Sequence, residues 1–270
     1  MALSSLLPLI SGFSPSPTSF CAPSAGWRAE FADEFDAPAL DTDKWTVKVG
    51  GGNSYCRSAT CTAEDVYIED GALVLRTRRL NASSFTSGGV DTRHKVSWRH
   101  EPDLRVCISA RLPGGGDTAD AGKGVWPAHW LMPDSNACDP DQGEMDIMEM
   151  IDGDGVLRST YHWQTTYPRE NCSYPKGHEE VTASHTLPAD WASAYHEYAV
   201  ERGPSHVAFA IDGVVILNKT AAADGLLLWD EPWYLILNSA LGGTWPGEPT
   251  AKTVLPTYHR IDYVRAARRV

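Results

Sequence analysis

Short runs of alternating apolar and polar residues recur along the chain, and clusters of turn-forming residues separate them. A period of two residues is typical of β-strands that bury one face, and the sequence contains no long amphipathic helical pattern. The pattern predicts an all-β sandwich or barrel built from short strands. The predicted strands are Val66–Ile68, Ala72–Thr77, Arg105–Leu112, Val125–Met132, Glu144–Met150, Ser159–Trp163, His196–Glu201, Val207–Ile211, Val214–Leu217, Trp233–Ala240 and Ile261–Ala266.

Two of the predicted strand pairs are joined by an Asp-Gly sequence, at Asp70-Gly71 and at Asp212-Gly213. A two-residue hairpin turn needs positive φ angles, which Asp and Gly tolerate better than most residues. Both sequences therefore predict β-hairpins.

The composition agrees with one folded domain rich in turns. Of the 270 residues, 42% are hydrophobic and 21% are charged, which excludes intrinsic disorder. The 23 Gly and 18 Pro favour a β protein over a helix bundle. No segment beyond the N-terminal stretch approaches the ~20 apolar residues of a membrane span, and we place one domain at residues 27–268.

The formal net charge of -12 argues against nucleic acid and anionic membranes as partners, because both are bound through clustered Lys and Arg. A neutral ligand fits better. The 10 Trp indicate a carbohydrate, since indole rings cover the C–H faces of sugar rings while carboxylates bind sugar hydroxyls.

The N-terminal residues 1–26 carry no charged side chain, and Ala2–Phe13 are mostly apolar. We interpret residues 1–26 as a secretory signal peptide or, because a positively charged start is missing and Pro8 interrupts the apolar run, as a disordered Ser/Pro leader. The expected location is extracellular. Three N-glycosylation sequons agree with secretion, at Asn81, Asn171 and Asn218.

The six cysteines lack the paired CxxC spacing of a zinc site, so disulfides are expected. Cys56 and Cys61 bracket a short loop and are predicted to pair with each other. Cys138 and Cys172 are the next candidate pair, because both lie in loops that flank predicted strands. Cys107 lies inside an alternating strand pattern and is predicted to be a buried thiol.

The candidate chemistry concentrates in the segment GEMDIMEM, in which three carboxylates alternate with Met and Ile. In a regular strand Glu144 and Asp146 share one face, whereas Glu149 points to the opposite face. A β-bulge near Ile147 and Met148 would add one residue and turn Glu149 onto the shared face. The segment therefore predicts three acids that converge on one site.

Carboxyl groups held this close do not all ionise easily, so one stays protonated as a general acid while another remains a nucleophilic anion. Glycoside hydrolysis requires such a pair. From the residues alone, two other interpretations stay open. One is an exposed acidic edge strand, and the other is a calcium site, since carboxylates are the usual ligands of calcium.

The acid motif has the form ExDxxE and follows the sequence GVWPAHWLMP, and together they resemble the laminarinase branch of glycoside hydrolase family 16. Further segments match in the family's order: FADEFDAPALDTDKW, EDVYIEDGALVL, YHEYAVERGPSHVAFAIDG, PWYLILNSALGGTWPG and IDYVRAARR. The resemblance covers nearly all of residues 27–268. It implies a β-jelly-roll sandwich of two curved antiparallel sheets, of the concanavalin A-like type, with an open concave cleft.

The resemblance implies a retaining reaction, with Glu144 as nucleophile, Asp146 as the neighbour that orients and tunes it, and Glu149 as acid/base. His162, on the strand expected beside the acids, matches a supporting position near them, and a buried structural histidine is the alternative.

The resemblance also implies a set of substrate-binding residues. Trp126 and Trp130 share one face of a strand, which the family turns toward the cleft. Trp245 lies in a Gly/Pro loop and is expected to form a stacking platform. Asn53 and Arg105 match family positions that are expected to contact substrate.

Three positions depart from the family pattern and leave the exact glucan preference open. Cys107 and Ser109 stand where Glu and Arg are usual, and His129 replaces the Phe between the paired Trp. No cluster of Arg or Lys is evident around the cleft motifs, which disfavours sulfated galactans as substrates.

The expected function is secreted, endo-acting hydrolysis of β-1,3-glucan such as laminarin, with mixed-linkage β-glucan as a further candidate substrate. The alternatives are a hydrolase or transglycosylase that acts on another polysaccharide, such as galactan or xyloglucan, and a non-catalytic β-glucan-binding protein. We expect a monomer that needs no cofactor and no catalytic metal. The resemblance leaves room for a structural calcium ion near Glu34 and Asp262.

Overall fold

The structure is a computed structural model that describes residues 19–22, 24, 26–114, 116, 118, 120–135, 143–165 and 177–270. About half of these residues lie in β-strands, and α1 (Ala221–Asp224) is a single helical turn. In the described ranges no helix is long and apolar enough to cross a membrane. The strands are β1 (Trp27–Asp33), β2 (Thr46–Val47), β3 (Thr60–Cys61), β4 (Val66–Glu69), β5 (Ala72–Arg79), β6 (Phe85–Ser87), β7 (Gly89–Asp91), β8 (Leu104–Arg111), β9 (Val125–Pro133), β10 (Glu144–Glu149), β11 (Val156–Gln164), β12 (His178–Thr186), β13 (His196–Arg202), β14 (His206–Ile211), β15 (Val214–Thr220), β16 (Trp233–Leu241) and β17 (Thr257–Arg269).

The described strands form two sheets. Sheet A has the order β15-β14-β13-β8-β17-β5-β6-β3, with β1 beside β17 and β4 beside β5. Sheet B has the order β12-β11-β10-β9-β16-β7-β2. Neighbouring strands pair antiparallel, apart from a short parallel pairing of β3 with β6. The predicted all-β sandwich is confirmed.

The two sheets share one apolar core because each strand turns alternate side chains toward the other sheet. Leu235 and Leu237 of sheet B belong to the same buried cluster as Val106 and Ile108 of sheet A. Burial of each such side chain contributes roughly 1.5–3 kcal/mol, so the core fixes which face of sheet B points outward. That outward face carries the acids.

Two histidines interrupt the apolar contact between the sheets. His129 of β9 stacks on His259 of β17, and their Nε2 atoms lie 2.9 Å apart. Both side chains are fully buried. Burial lowers the pKa of His259 to about 4, and burial lowers the pKa of His129 well below the usual value. The pair is therefore neutral in the folded protein at neutral pH.

Both predicted hairpins are present. Asp70 and Gly71 join β4 to β5 with φ angles of 53° and 72°. Asp212 and Gly213 join β14 to β15 with φ angles of 48° and 76°. The Asp-Gly sequence predicted both turns correctly because both turn positions have these positive φ angles.

The N-terminal segment corrects the prediction made for Cys107. Cys107 is not a thiol: it forms a disulfide with Cys21, and their Cα atoms lie 6.0 Å apart. Ser19 and Phe20 also donate hydrogen bonds to the Glu197 carboxylate. Residues 19–21 are thus covalently and non-covalently attached to sheet A, and the leader boundary after residue 26 stays a prediction.

The predicted disulfide between Cys56 and Cys61 is present. Cys138, Cys172 and the sequon at Asn171 lie outside the described residues, as does most of the predicted leader. The other two sequon asparagines, Asn81 and Asn218, are exposed, as glycosylation requires.

Candidate active site

A bulge in β10 brings three carboxylates onto the outer face of sheet B. Against β11, β10 carries one extra residue between Asp146 and Glu149, and against β9 the register shifts between Asp146 and Met148. Ile147 and Met148 are consecutive residues, and both are buried in the core between the sheets. Glu149 therefore emerges on the same face as Asp146, and the predicted bulge is confirmed.

The carboxylates line a cleft of about 830 Å³. Its floor and walls come from β9, β10, β11 and β12, together with the loops that carry Arg57 and Trp245. Glu144, Asp146 and Glu149 all contribute to this one cleft. The side chains that the sequence analysis grouped as catalytic thus lie together.

Glu149 lies in the environment of a general acid. Burial raises the pKa of this carboxyl to about 6, while the indole N–H of Trp126 opposes the rise by donating to Oε1 at 2.9 Å. A carboxyl with this pKa still carries its proton in mildly acidic solution and can donate it to a leaving group.

Asp146 and His162 form a hydrogen-bonded pair beside the other acids. Asp146 is buried, and its Oδ2 lies 3.0 Å from Nε2 of His162. His162 also pairs directly with Glu144 in the register between β10 and β11. An imidazole N–H directed at Asp146 holds that carboxylate in one orientation between its two acidic neighbours.

Trp126 and Trp245 form an aromatic wall. Their ring centroids lie 5.2 Å apart in an edge-to-face arrangement, and Trp245 is 43% exposed on its loop. An exposed indole in a cleft is suited to stacking on a sugar ring. Trp130 shares the face of Trp126 but is buried, and it donates to the side-chain oxygen of Asn238 at 2.8 Å. It supports the floor of the cleft.

Arg105 does not belong to the cleft, and its assignment to substrate binding is wrong. It lies on β8 in sheet A, where it donates to Glu201 at 2.7 Å and to the carbonyl of Phe20 at 2.9 Å. The alternating pattern correctly predicted a strand at Arg105. It could not indicate that this strand lies in the sheet opposite the acids.

Asn53 holds its own loop together. Its side-chain oxygen accepts from the backbone N–H of Cys56 at 3.1 Å, and its Nδ2 donates to the carbonyl of Gly50 at 3.2 Å. These contacts shape the loop that carries Arg57 into the cleft. They give Asn53 a structural role, and direct contact with substrate stays a prediction.

One wall of the cleft comes from β12, a strand that the sequence pattern did not predict. His178, Glu180, Thr182 and Ser184 are alternate residues of β12 and all face the cleft. β12 is the edge strand of sheet B and has little buried surface, so it lacks the apolar face by which the other strands were recognised. The signal that could have indicated this strand is the placement of polar side chains at every second residue of β12.

Two arginines also line the cleft, against the expectation that cationic groups are lacking there. The guanidinium of Arg57 lies 4.9 Å from the centre of the Trp126 ring. Arg158 donates to Asp154 at 2.6 Å and lies 5.5 Å from the Trp245 ring. The two arginines are far apart in the sequence, which is why no cluster was visible.

The carboxylates of Glu34 and Asp262 both have protein partners, and a calcium ion near them stays a prediction. Both carboxylate oxygens of Glu34 accept from Arg265, at 2.9 and 2.8 Å. Asp262 accepts from Ser109, and burial raises the pKa of its carboxyl. The Arg265 guanidinium thus supplies the positive charge beside Glu34.

A buried carboxyl with a raised pKa, further carboxylates on the same face and a wall of indoles are the parts of an enzyme that hydrolyses glycosidic bonds. The sheet sandwich supplies the cleft in which a carbohydrate chain meets them.

The chain belongs to the glycosyl hydrolases family 16, whose sequence profile matches residues 57–265. A beta-glucanase of Rhodothermus marinus is 31% identical over 264 residues, which cover 90% of this chain and 86% of that protein. Glucan endo-1,3-beta-glucosidase A1 of Niallia circulans is 27% identical over 278 residues, or 89% of this chain and 38% of that protein. The endo-beta-1,3-glucanase of Pyrococcus furiosus has a TM-score of 0.75 at 28% identity, covering 90% of this chain and 95% of that structure. The family resemblance and the jelly-roll fold are confirmed, and the protein is a glycosidase.

Proposed function

We propose that this protein is a retaining endo-β-1,3-glucanase that acts on laminarin-like glucans and on mixed-linkage β-glucan. The observation that carries the proposal is the bulge in β10, which turns Glu144 and Glu149 onto one face of an aromatic-walled cleft. The similar β-glucanase and endo-β-1,3-glucanases support the choice of substrate.

The reaction proceeds in two steps. Glu149 protonates the glycosidic oxygen while Glu144 attacks the anomeric carbon, so the bond to the leaving sugar breaks and a glycosyl ester forms on Glu144. Water then attacks this ester, and Glu149, now ionised, takes the proton of that water. Two inversions at the anomeric carbon leave the β configuration unchanged.

Asp146 and His162 position the nucleophile. The hydrogen bond between them keeps Asp146 fixed on the strand face between Glu144 and Glu149. A negative charge at this place favours positive charge at the anomeric carbon in the transition state. Trp126 and Trp245 hold the sugar rings, with Trp126 also aiming Glu149.

Reducing-sugar release from a panel of laminarin, lichenan, xyloglucan, agarose and carrageenan tests the proposal. We expect the highest kcat/KM on laminarin and measurable activity on lichenan. Activity confined to xyloglucan or agarose would contradict the substrate assignment. Binding to laminarin without release of reducing ends from any polymer would identify a β-glucan-binding protein.

Arg57 and Arg158 favour a second candidate, a polysaccharide with sulfate groups. Guanidinium groups bind such anions through charge-assisted hydrogen bonds, and both arginines face the cleft. Arg158 is already paired with Asp154, and Arg57 lies on an indole ring, which favours the neutral glucan. Carrageenan, the sulfated polysaccharide of the panel, decides between a sulfated and a neutral substrate.

We further propose that the protein acts as an extracellular monomer. The two disulfides in the described part of the chain fit an oxidising compartment. The exposed sequon asparagines Asn81 and Asn218 support export. Size-exclusion chromatography with light scattering tests the monomeric state.

A further inference from the structure

A second group of candidate ligands lies in the cleft wall where β11 meets β12. His162, His178 and Glu180 each bring one donor atom close to the other two. The His162 Nδ1 atom lies 3.2 Å from His178 Nε2 and 3.4 Å from Glu180 Oε2. The His178 Nε2 atom lies 3.5 Å from Glu180 Oε2. The three atoms form a nearly equilateral triangle.

This triangle has the dimensions of one face of a zinc tetrahedron. Zinc binds imidazole nitrogen and carboxylate oxygen at about 2.0–2.2 Å, which places neighbouring ligand atoms of a tetrahedron about 3.3–3.5 Å apart. The donor atoms of His162, His178 and Glu180 therefore already have the spacing that the ion requires. All three side chains line the cleft, so an ion held by them lies at the cleft wall.

Asp146 supplies the outer contact that zinc-binding histidines commonly have. Its Oδ2 accepts the Nε2–H of His162 at 3.0 Å, so the Nδ1 lone pair of His162 points to the other two donors. A carboxylate on the far nitrogen fixes the imidazole tautomer and raises its basicity as a ligand. The ion takes the place of the hydrogen bond between the two imidazoles.

Two other groups of acids and histidines in the described residues suit a metal less well. In the group of Asp103, Glu201 and His206, arginines already pair with the acids, at 2.7 Å on Glu201 and 3.3 Å on Asp103. The group of Glu144, Asp146 and His162 consists of residues that the proposed reaction requires.

We propose that His162, His178 and Glu180 form a binding site for Zn²⁺ and that the bound ion inhibits the enzyme. The ion draws His162 toward β12 and adds positive charge close to the carboxylates of the cleft. It also occupies part of the wall along which a sugar chain lies. Binding is independent of the proposed function, whereas inhibition rests on the proposed glucanase activity.

Metal titrations of the full chain without an affinity tag test the binding. We expect one equivalent of Co²⁺ to give the visible absorption of a tetrahedral site and Zn²⁺ to displace it. His178→Gln and Glu180→Gln each remove one ligand, and each should weaken Zn²⁺ binding at least tenfold in calorimetry. The Glu180 side chain is 55% exposed, so its replacement leaves the fold intact.

Two matched histidine variants serve as controls. His185→Gln lies on β12 outside the triangle, and His206→Gln lies in the competing group on sheet A. Both should bind Zn²⁺ as the wild type does. Unchanged affinity in His178→Gln or in Glu180→Gln, or loss of binding in His206→Gln, would overturn the site.

Hydrolysis of laminarin measures the inhibitory effect separately. Zn²⁺ should slow the wild-type enzyme, EDTA should restore the rate, and the half-inhibiting concentration should rise at least tenfold in Glu180→Gln. Zinc that binds at the triangle without slowing hydrolysis overturns the inhibitory part alone. An enzyme inactive on laminarin without zinc contradicts the proposed function and leaves the binding test standing.

Discussion

Two opposing effects act on the carboxyl group of Glu149. Burial favours its neutral form, and the Trp126 N–H favours its anion, with burial the larger effect. Because the pKa in the folded protein exceeds that in the unfolded chain, the unfolded chain loses its proton first as the pH rises. The free energy of unfolding therefore falls between the ordinary pKa of 4.5 and about 6.

We expect Glu149→Gln to be more stable than the wild type at pH 7.5 and equally stable at pH 4. The rise in pKa from 4.5 to about 6 corresponds to about 2 kcal/mol, which is the upper limit of the difference at pH 7.5. Urea unfolding of both proteins at the two pH values measures it. If the two proteins differ in the free energy of unfolding by the same amount at both pH values, the Glu149 carboxyl is not the source of the difference.

Chemical rescue separates the roles of Glu149 and Glu144. In Glu149→Ala, an aryl β-laminaribioside with a good leaving group needs no proton, so the first step survives while hydrolysis of the glycosyl-enzyme becomes slow. Azide needs no deprotonation and should restore turnover, giving a β-glycosyl azide. Product configuration is read by NMR.

Glu144→Ala is the matched control for this rescue. Without a nucleophile, azide attacks the substrate directly from the opposite face and should give the α-glycosyl azide. An α product from Glu149→Ala would indicate an inverting enzyme. A Glu149→Ala variant with normal activity on laminarin and no response to azide would remove Glu149 from the mechanism.

At the scale of the strand, deletion of Met148 converts ExDxxE to ExDxE and removes the extra residue. We expect β9 and β11 to hold the remaining residues in the bulged register, so Glu149 turns into the core, where an unpaired carboxylate costs several kcal/mol. Thermal unfolding and laminarin hydrolysis should both show large losses. Near-native melting temperature and activity would show that the strand straightens without harm.

The bulge was predictable because three acids at positions 144, 146 and 149 cannot share one face of a regular strand among buried Met and Ile. β12 was not predictable by the same reasoning, because an edge strand with polar residues on both faces has no apolar side to reveal it. The partner of Cys107 was hidden for another reason. The local pattern indicates that a residue is buried. It does not indicate which distant segment covers the residue, and the partner of Cys107 lies 86 positions away.

At the scale of the whole molecule, the two disulfides should differ in what they stabilise. The pair Cys21 and Cys107 closes a loop across 86 positions, which corresponds to roughly 4–5 kcal/mol in the chain-entropy description. The pair Cys56 and Cys61 spans only 5 positions, for about 2 kcal/mol. Denaturant unfolding of the two double Cys→Ala variants measures both.

The two double Cys→Ala variants should also differ in enzymatic activity. Loss of the first disulfide affects the outer face of sheet A and should leave kcat/KM at 25 °C nearly unchanged. Loss of the second frees the loop that carries Arg57 into the cleft and should raise KM. A fall in kcat/KM for folded Cys21→Ala/Cys107→Ala protein would show that sheet A influences the cleft.

The histidine pair between the sheets makes the fold sensitive to acid. Below pH 6.5 an unfolded chain protonates both histidines while the folded protein keeps them neutral, so the free energy of unfolding falls as the pH falls. For His259 alone, the lowering of the pKa from 6.5 to about 4 corresponds to about 3 kcal/mol. Replacing both with His129→Phe and His259→Leu should flatten this pH dependence in denaturant unfolding, while exposed His185→Gln should leave it unchanged.

A loss of about 3 kcal/mol raises the unfolded population by roughly two orders of magnitude, and proteases degrade mainly that population. The pair His129 and His259 therefore limits how long the protein survives proteolysis in acid. In surroundings that turn acidic and contain peptidases, this enzyme should be cleared far sooner than a variant with an apolar core, even while each intact molecule still has a protonated Glu149.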